Sequence, residues 1–178
     1  MTCRNRPDPR GMTLLELIVT ATILAILAGL AIPLAQVVVQ RQKEAELRRA
    51  LRVLRTAIDE FHRAVDPPGL PPGSTVTVDP PVMDPETKYP KNLEALTEWV
   101  TVKTTVPGQG TREQKYRFLR RVPEDPMTGS TEWGQLCIDQ KPPQAGEAPP
   151  GWCGRHVYDV YTKSCRPALD GKSRYCEW

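Results

Sequence analysis

The strongest hydrophobic segment of this 178-residue chain lies near its start. Residues 17–40 form a run of 24 positions without a charged side chain. A helix rises about 1.5 Å per residue, so a run of this length crosses a hydrocarbon layer about 30 Å thick. Its polar residues are too few to form the solvent-exposed face that a helix packed on the core of a soluble protein would have. The pattern therefore predicts a membrane-spanning helix.

From residue 41 the apolar positions become periodic. They recur at spacings of 4, 3, 4, 3 and 4 residues, which places them on one face of a helix. The segment Asp66-Pro67-Pro68-Gly69 ends this helix. We expect an amphipathic continuation over 41–65 that packs a globular domain on its apolar stripe and keeps its charged face solvated. The stripe consists of Leu47, Leu51, Leu54, Ile58, Phe61 and Val65.

Residues 66–178 alternate between loops rich in proline or glycine and short apolar segments. Eight prolines between 66 and 90 predict a long irregular loop, with a short strand at 74–78. A short helix is expected within 89–100, with Leu93, Leu96 and Val100 on one side. Further strands are predicted at 99–106, 114–122, 131–139 and 155–162. Together these elements indicate an α+β fold, with a small antiparallel sheet laid on the long helix.

Charge and side-chain chemistry exclude several function classes. The 24 basic and 21 acidic residues leave a net charge of +3, which is too small and too scattered for nucleic-acid binding. The sequence has two histidines, no zinc-protease motif and no plausibly spaced Ser/His/Asp set. Gly171-Lys172-Ser173 lacks the first glycine of a phosphate-binding loop, because position 166 is arginine. We therefore expect no enzyme and no nucleic-acid partner.

The apolar run follows eleven polar and basic residues, which is also the outline of a cleaved secretory signal. The run is longer than the apolar core of such a signal, and no Ala-x-Ala pair occurs between residues 21 and 35. Glu16 is the third residue of the wider apolar stretch that begins at Leu14, where a charged side chain costs about 2.5–3.5 kcal/mol. A plain anchor has no use for this carboxylate, so Glu16 indicates a function.

The segment Gly11-Met12-Thr13-Leu14-Leu15-Glu16, followed by a long apolar helix, resembles the class III signal of type IV pilins and type II secretion pseudopilins. The resemblance implies that a prepilin peptidase cuts after Gly11 and methylates the new amine of Met12. Counted from Met12, Glu16 is the fifth residue and Pro33 the twenty-second, as in that family. The departure is Met12 itself, where the family usually has phenylalanine.

The resemblance also assigns roles in assembly. In a filament of staggered helices, Glu16 of one subunit meets the α-ammonium of Met12 of its neighbour and sets the register, because a carboxylate in low dielectric needs a cation. Pro33 removes one helical hydrogen bond and is expected to kink or locally melt the helix.

Basic residues around the span give conflicting signals on orientation. Six follow it closely and three precede it, so the positive-inside rule alone points the C-terminal domain to the cytoplasm. The signal and the cysteines favour a single-pass inner-membrane protein with its C-terminal domain in the periplasm. The expected parts are a leader (1–11), a transmembrane and filament-core helix (12–40), its amphipathic continuation (41–65) and a periplasmic globular domain (66–178).

Three later segments resemble the major pseudopilin of type II secretion. They are Tyr89-Pro90 with Leu93-Glu94-Ala95-Leu96, residues 118–126, and residues 157–161 with Asp170-Gly171. This resemblance implies a subunit of a homo-oligomeric periplasmic filament that drives the export of folded proteins, with other pseudopilins and the inner-membrane assembly platform as partners. A subunit of a surface pilus and a single-span anchored periplasmic binding domain remain as alternatives.

The same resemblance implies a calcium ion in the C-terminal loop. Asp159 and Asp170 are the candidate ligands, since Ca²⁺ prefers several oxygens that include carboxylates. The usual downstream aspartate cluster is absent, and Cys165 and Cys176 stand in its place. The alternative is a loop held by a disulfide.

Five cysteines leave an even set once Cys3 is assigned to the leader. Four cysteines allow three pairings, which the sequence cannot separate. Disulfides imply an oxidising compartment, here the periplasm. A zinc site is the competing interpretation, but there is no C-x-x-C pair and His156 is the one nearby histidine. The disulfide candidates are Cys137, Cys153, Cys165 and Cys176.

Overall fold

A computed structural model describes residues 11–144 and 150–178, without the side chains of residues 30–34. Of the predicted leader only Gly11 is described, and Cys3 lies outside the described residues. The chain divides into two compact units between Arg41 and Gln42.

The longest element is helix α1, which spans Leu14–Val65. Its first turn is closed by Thr13, whose Oγ1 accepts a hydrogen bond from the backbone N–H of Glu16 at 3.2 Å. Thr13 is therefore the N-cap residue, and the helix begins after it rather than at Met12. The helix ends at Val65, as predicted, because the prolines that follow it have no N–H to continue the ladder.

The predicted apolar stripe forms the centre of the core of the second unit. All six of its side chains, from Leu47 to Val65, are at most 3% exposed. They share one cluster with Leu93, Leu96 and Val102 from the segments that follow the helix. Burial of this stripe is the main stabilising contribution of the helix, at about 25 cal/mol per Å² of apolar surface removed from water.

Two small antiparallel sheets complete the described part of this unit. The first has three strands in the order β1-β2-β3, and the second pairs β4 with β5. The strands are β1 (Thr75–Asp79), β2 (Val100–Val106), β3 (Gly110–Tyr116), β4 (Gly134–Leu136) and β5 (Asp159–Tyr161). Val76, Val78 and Val102 place the first sheet against the helix stripe. The predicted α+β fold, a long helix packed on a small antiparallel sheet, is confirmed.

The strand predicted at 114–122 is wrong in its bounds. The first residue of β2, Val100, pairs with Tyr116, so residues 117–122 have no partner in β2. The other end of β3 extends back to Gly110, through polar and exposed residues that lack the alternation of a half-buried strand. Strands at 131–139 and 155–162 are present but are confined to three residues each.

A tight turn sets this register. The N–H of Gln109 donates to the carbonyl of Val106 at 3.1 Å, with Pro107 and Gly108 between them. Gly108 has a φ of 79°, which the third position of a type II turn requires and which favours glycine. The chain therefore reverses direction within three residues, and β3 pairs with β2 from Gly110 onward.

The helix predicted within 89–100 is reduced to a single 3₁₀ turn, Glu94–Leu96. The carbonyl of Leu96, which a longer helix would use internally, accepts the N–H of Leu119 at 2.8 Å instead. The predicted burial is nevertheless confirmed, because Leu93, Leu96 and Val100 are at most 2% exposed.

Candidate functional site

The predicted processing site lies directly before helix α1. Gly11 and Met12 are exposed and belong to no helix or strand, and Met12 is 66% exposed. The Gly11–Met12 peptide bond is therefore accessible in irregular backbone.

Glu16 lies in the first turn of the helix. A carboxylate is favourable here because the helix dipole places partial positive charge at this end. The spacing Thr13-x-x-Glu16 is that of a capping box, a sequence signal for the helix start that could have predicted the cap. Within the described residues, Glu16 makes no ion pair.

The side chains described between residues 14 and 39 form an apolar surface on all sides of the helix. Two of the polar ones satisfy themselves locally: the hydroxyl of Thr20 donates to the carbonyl of Leu17 at 3.0 Å, and that of Thr22 to the carbonyl of Ile18 at 2.7 Å. A helix that is apolar all round needs an apolar environment. Its exposed large apolar side chains are Leu14, Leu15, Leu17, Ile18, Val19, Ile23, Leu24, Ile26, Leu27, Val37, Val38 and Val39.

Helix α1 is uninterrupted from Leu14 to Val65, so the local melting expected at Pro33 does not occur. The side chains of residues 30–34 lie outside the described residues, so the kink and the role of Pro33 in assembly stay predictions. In the part of the chain that the structure describes, no helix combines the length and the apolar character needed to cross a membrane.

The four C-terminal cysteines form two disulfides, as predicted. Cys137 pairs with Cys153, and Cys165 pairs with Cys176. The connectivity, which the sequence left open, is therefore sequential.

The ligand atoms of Cys137, Cys153 and His156 lie within 4.8 Å of one another. Both sulfurs are bonded to each other, however, and zinc needs thiolates.

His156 is fully buried beside the first disulfide. Its Nε2 accepts the N–H of Ile138 at 3.2 Å, so the ring proton lies on Nδ1, which faces Oδ2 of Asp84 at 3.3 Å. The pKa of Asp84 is lowered, first by the hydroxyl of Thr87, and His156 adds to the effect. This arrangement has the character of a structural polar cluster, and its members come from three separate segments.

Asp125 is a buried carboxylate that joins two segments. It accepts hydrogen bonds from the N–H of Met127 at 2.8 Å and from the hydroxyls of Thr128 at 3.0 Å and Thr162 at 2.5 Å. Thr162 follows β5 directly. In the sequence, Asp125 is marked only by the resemblance of residues 118–126, and no local pattern marks its partner Thr162.

The two predicted calcium ligands have separate partners. The carboxylate of Asp159 faces the guanidinium of Arg55, with Oδ1 at 2.6 Å from Nε and Oδ2 at 3.3 Å from Nη2. Asp170 instead accepts from the N–H groups of Lys172 and Ser173, each at 2.9 Å, and from the Ser173 hydroxyl at 2.7 Å.

These contacts do not fit a calcium site. The bonds to Ser173 are the first cause that lowers the pKa of Asp170 to about 2, so this carboxylate is stabilised within its own turn. The carboxylate of Asp159 is already paired with the guanidinium of Arg55. A Ca²⁺ site needs about six to eight oxygens converging on one point, and neither carboxylate is free to contribute to such a set.

Residues 6–32 match the family model described as the prokaryotic N-terminal methylation motif. No curated protein and no solved structure matches the chain significantly. The matched motif contains Gly11, Met12 and Glu16, the same residues that carry the resemblance to type IV pilins. The match supports a type IV pilin-like N-terminal segment, in which the motif implies processing by a prepilin peptidase.

Proposed function

We propose that this chain is a pseudopilin, a structural subunit of a type II secretion-like periplasmic filament whose growth drives folded proteins outward. One observation carries the proposal: an accessible Gly11–Met12 bond stands directly before a helix with an apolar surface on all sides. Removal of the leader would leave that helix with a new amine at its start. The work of such a subunit is mechanical, and it requires no catalytic group.

In the proposed pathway the precursor first resides in the inner membrane, with a single span and its C-terminal domain in the periplasm. The apolar surface described between Leu14 and Val39 suits hydrocarbon, and the hydroxyls of Thr20 and Thr22 already have partners within the helix. The two disulfides support an oxidising compartment for residues 137–176. The prepilin peptidase then cuts after Gly11 and methylates Met12.

In the proposed filament the same apolar surface packs against the helices of neighbouring subunits. The assembly is therefore a homo-oligomer, started and supported by other pseudopilins and the inner-membrane platform. Glu16 faces solvent in the single chain and makes no ion pair among the described residues. Once neighbours remove it from water it needs a cation, and the amine of Met12 of an adjacent subunit is the natural one.

The experiment that tests this pathway is an intact-mass measurement on the membrane-purified protein, with and without reduction, and with fragmentation from the N-terminus. We expect a chain that starts at N-methyl-Met12 and gains four hydrogens on reduction of its two disulfides. A Gly11→Val variant serves as the control, because a bulky side chain at the cleavage position is expected to preserve the leader.

Two other results would contradict the proposal. A wild-type chain that keeps residues 1–11 would be an ordinary anchored domain. A chain that starts beyond Ala31 would be a conventional secreted domain. Electron microscopy of cells then separates the secretion filament from the pilus alternative, because a pilus subunit produces long surface fibres.

A further inference from the structure

The loop between Cys165 and Cys176 is held on the helix by side chains of one helical face. Oε1 of Glu44 accepts the N–H of Leu169 at 2.8 Å and the hydroxyl of Tyr175 at 2.9 Å. Glu44 belongs to the charged face of helix α1, which the sequence pattern predicts to be solvated. At this position the expectation was wrong.

Arg55 extends this attachment three turns further along the same face. Its Nη2 donates to the main-chain oxygens of Val160 at 3.2 Å and Trp178 at 2.6 Å, in addition to the contacts with Asp159. A single guanidinium therefore meets four oxygens from two segments, the strand β5 and the end of the second 3₁₀ turn (Tyr175–Glu177). The planar guanidinium of arginine, which carries several N–H donors, suits this set of acceptors better than the single ammonium group of a lysine does.

We propose that Arg55 is the cation that closes the C-terminal region of this protein, so that the loop is held without a divalent metal. The oxygens of Asp159, Val160 and Trp178 are the acceptors that a cation at this place would use, and the guanidinium already occupies them. A calcium ion bound to these oxygens would have to displace the guanidinium of Arg55 or lie next to it. Two cations that share the same acceptor oxygens repel each other strongly. The proposal concerns the folded domain and does not depend on filament assembly.

Burial makes the contact more than a surface ion pair. The side chain of Arg55 is 37% exposed and that of Asp159 is 25% exposed. Partly buried, bidentate Arg–carboxylate pairs are stronger than exposed pairs because the geometry is fixed and water screens them less. Arg48 reinforces the closure, since its guanidinium lies 4.3 Å from the centre of the Trp178 ring.

The test compares thermal unfolding of the full chain in detergent, followed by circular dichroism and tryptophan fluorescence. For the wild type we expect the same Tm in 1 mM CaCl₂ and in EGTA. Arg55→Ala is expected to lower Tm by about 3–6 °C, and Arg55→Lys by less, because lysine keeps the charge but loses the fork. The matched control is Arg52→Ala: Arg52 is exposed on the same helix and has no hydrogen bond or ion pair within the described residues.

Two outcomes would overturn the proposal. One is a rise of the wild-type Tm with calcium, or saturable calcium binding by the wild type in calorimetry. The other is an Arg55→Ala variant that unfolds at the same temperature as Arg52→Ala. If Arg55→Ala does not accumulate, Arg55→Lys and the calcium response of the wild type still decide. A double variant with Asp159→Ala should lose little beyond Arg55→Ala alone, since the two residues act as one contact.

Discussion

Gly134 lies directly against the ring of Tyr161, its partner in the register of β4 and β5. A Cβ atom at position 134 would overlap the ring carbons Cζ, Cε1 and Cε2. Tyr161 is 5% exposed and belongs to a small cluster with Leu136 and Cys176. The absence of a side chain at position 134 is thus what allows the ring to cover the second disulfide.

Gly134→Ala should therefore destabilise the domain by about 1–3 kcal/mol, the usual cost of overpacking. The measurement is urea unfolding of the full chain in detergent. Gly151→Ala is the control, because a Cβ at Gly151 meets no atom within 4 Å. Equal midpoints for the two variants would contradict the close approach of the Tyr161 ring.

Asp125→Asn should lower the free energy of unfolding by about 1–3 kcal/mol, because the amide cannot accept all of the hydrogen bonds that the carboxylate receives. The hydroxyl of Thr162 is the partner expected to lose most, since it joins a distant segment. Thermal unfolding measures the effect. Asp139→Asn makes the same chemical change at an exposed position and should be neutral. A stable Asp125→Asn variant would argue against a structural role for the buried acid.

Glu16→Gln separates the two roles that the structure allows for this residue. Glutamine suits the third helical position as well as glutamate does, so the start of the helix should be preserved. The negative charge is lost, so the registration between subunits should fail. We expect leader cleavage and membrane insertion at wild-type levels but no filaments by electron microscopy. Normal filaments from Glu16→Gln would contradict pairing with the amine of Met12.

The titration of Asp170 reports on the turn that contains it. Its pKa is lowered from 3.8 to about 2, first by the hydroxyl of Ser173. Because the folded-state pKa lies below the unfolded value, the contribution to stability is complete above about pH 4 and is lost as the pH falls through about 2.

Ser173→Ala should therefore raise the pKa of Asp170 toward 3.8. Carboxyl chemical shifts in ¹³C NMR, recorded between pH 1.5 and about 6, would measure it. Thr87→Ala removes the corresponding hydroxyl from Asp84 and should leave Asp170 unchanged, which makes it the control. An unaltered titration of Asp170 in Ser173→Ala would mean that the backbone N–H groups alone hold its charge.

Local patterns were sufficient for the elements whose cause is local. The stripe from Leu47 to Val65 was predicted residue by residue, because a period of 3.6 can be read in a short window. The end of the helix was equally clear, since proline acts on its own neighbours. The processing motif around Gly11 is likewise a contiguous segment, which is why a family model recognises it.

Tertiary structure decided the contacts between distant segments. Arg55 and Asp159 are 104 positions apart, and Asp125 and Thr162 are 37 apart. The periodicity around either partner carries no information about the other. The calcium expectation shows the limit of local patterns: an aspartate in a suitable segment predicts a ligand, but only packing reveals that Arg55 of the helix faces Asp159.

The sequence by itself thus determined the long helix, its apolar stripe, the processing motif and the presence of disulfides, because each depends on composition or on spacing within a few turns. The pairing of Cys137 with Cys153, the register that brings Gly134 under Tyr161 and the closure by Arg55 were decided only by the fold. They depend on which surfaces the whole domain buries together, and that is a property of the packed chain rather than of any segment.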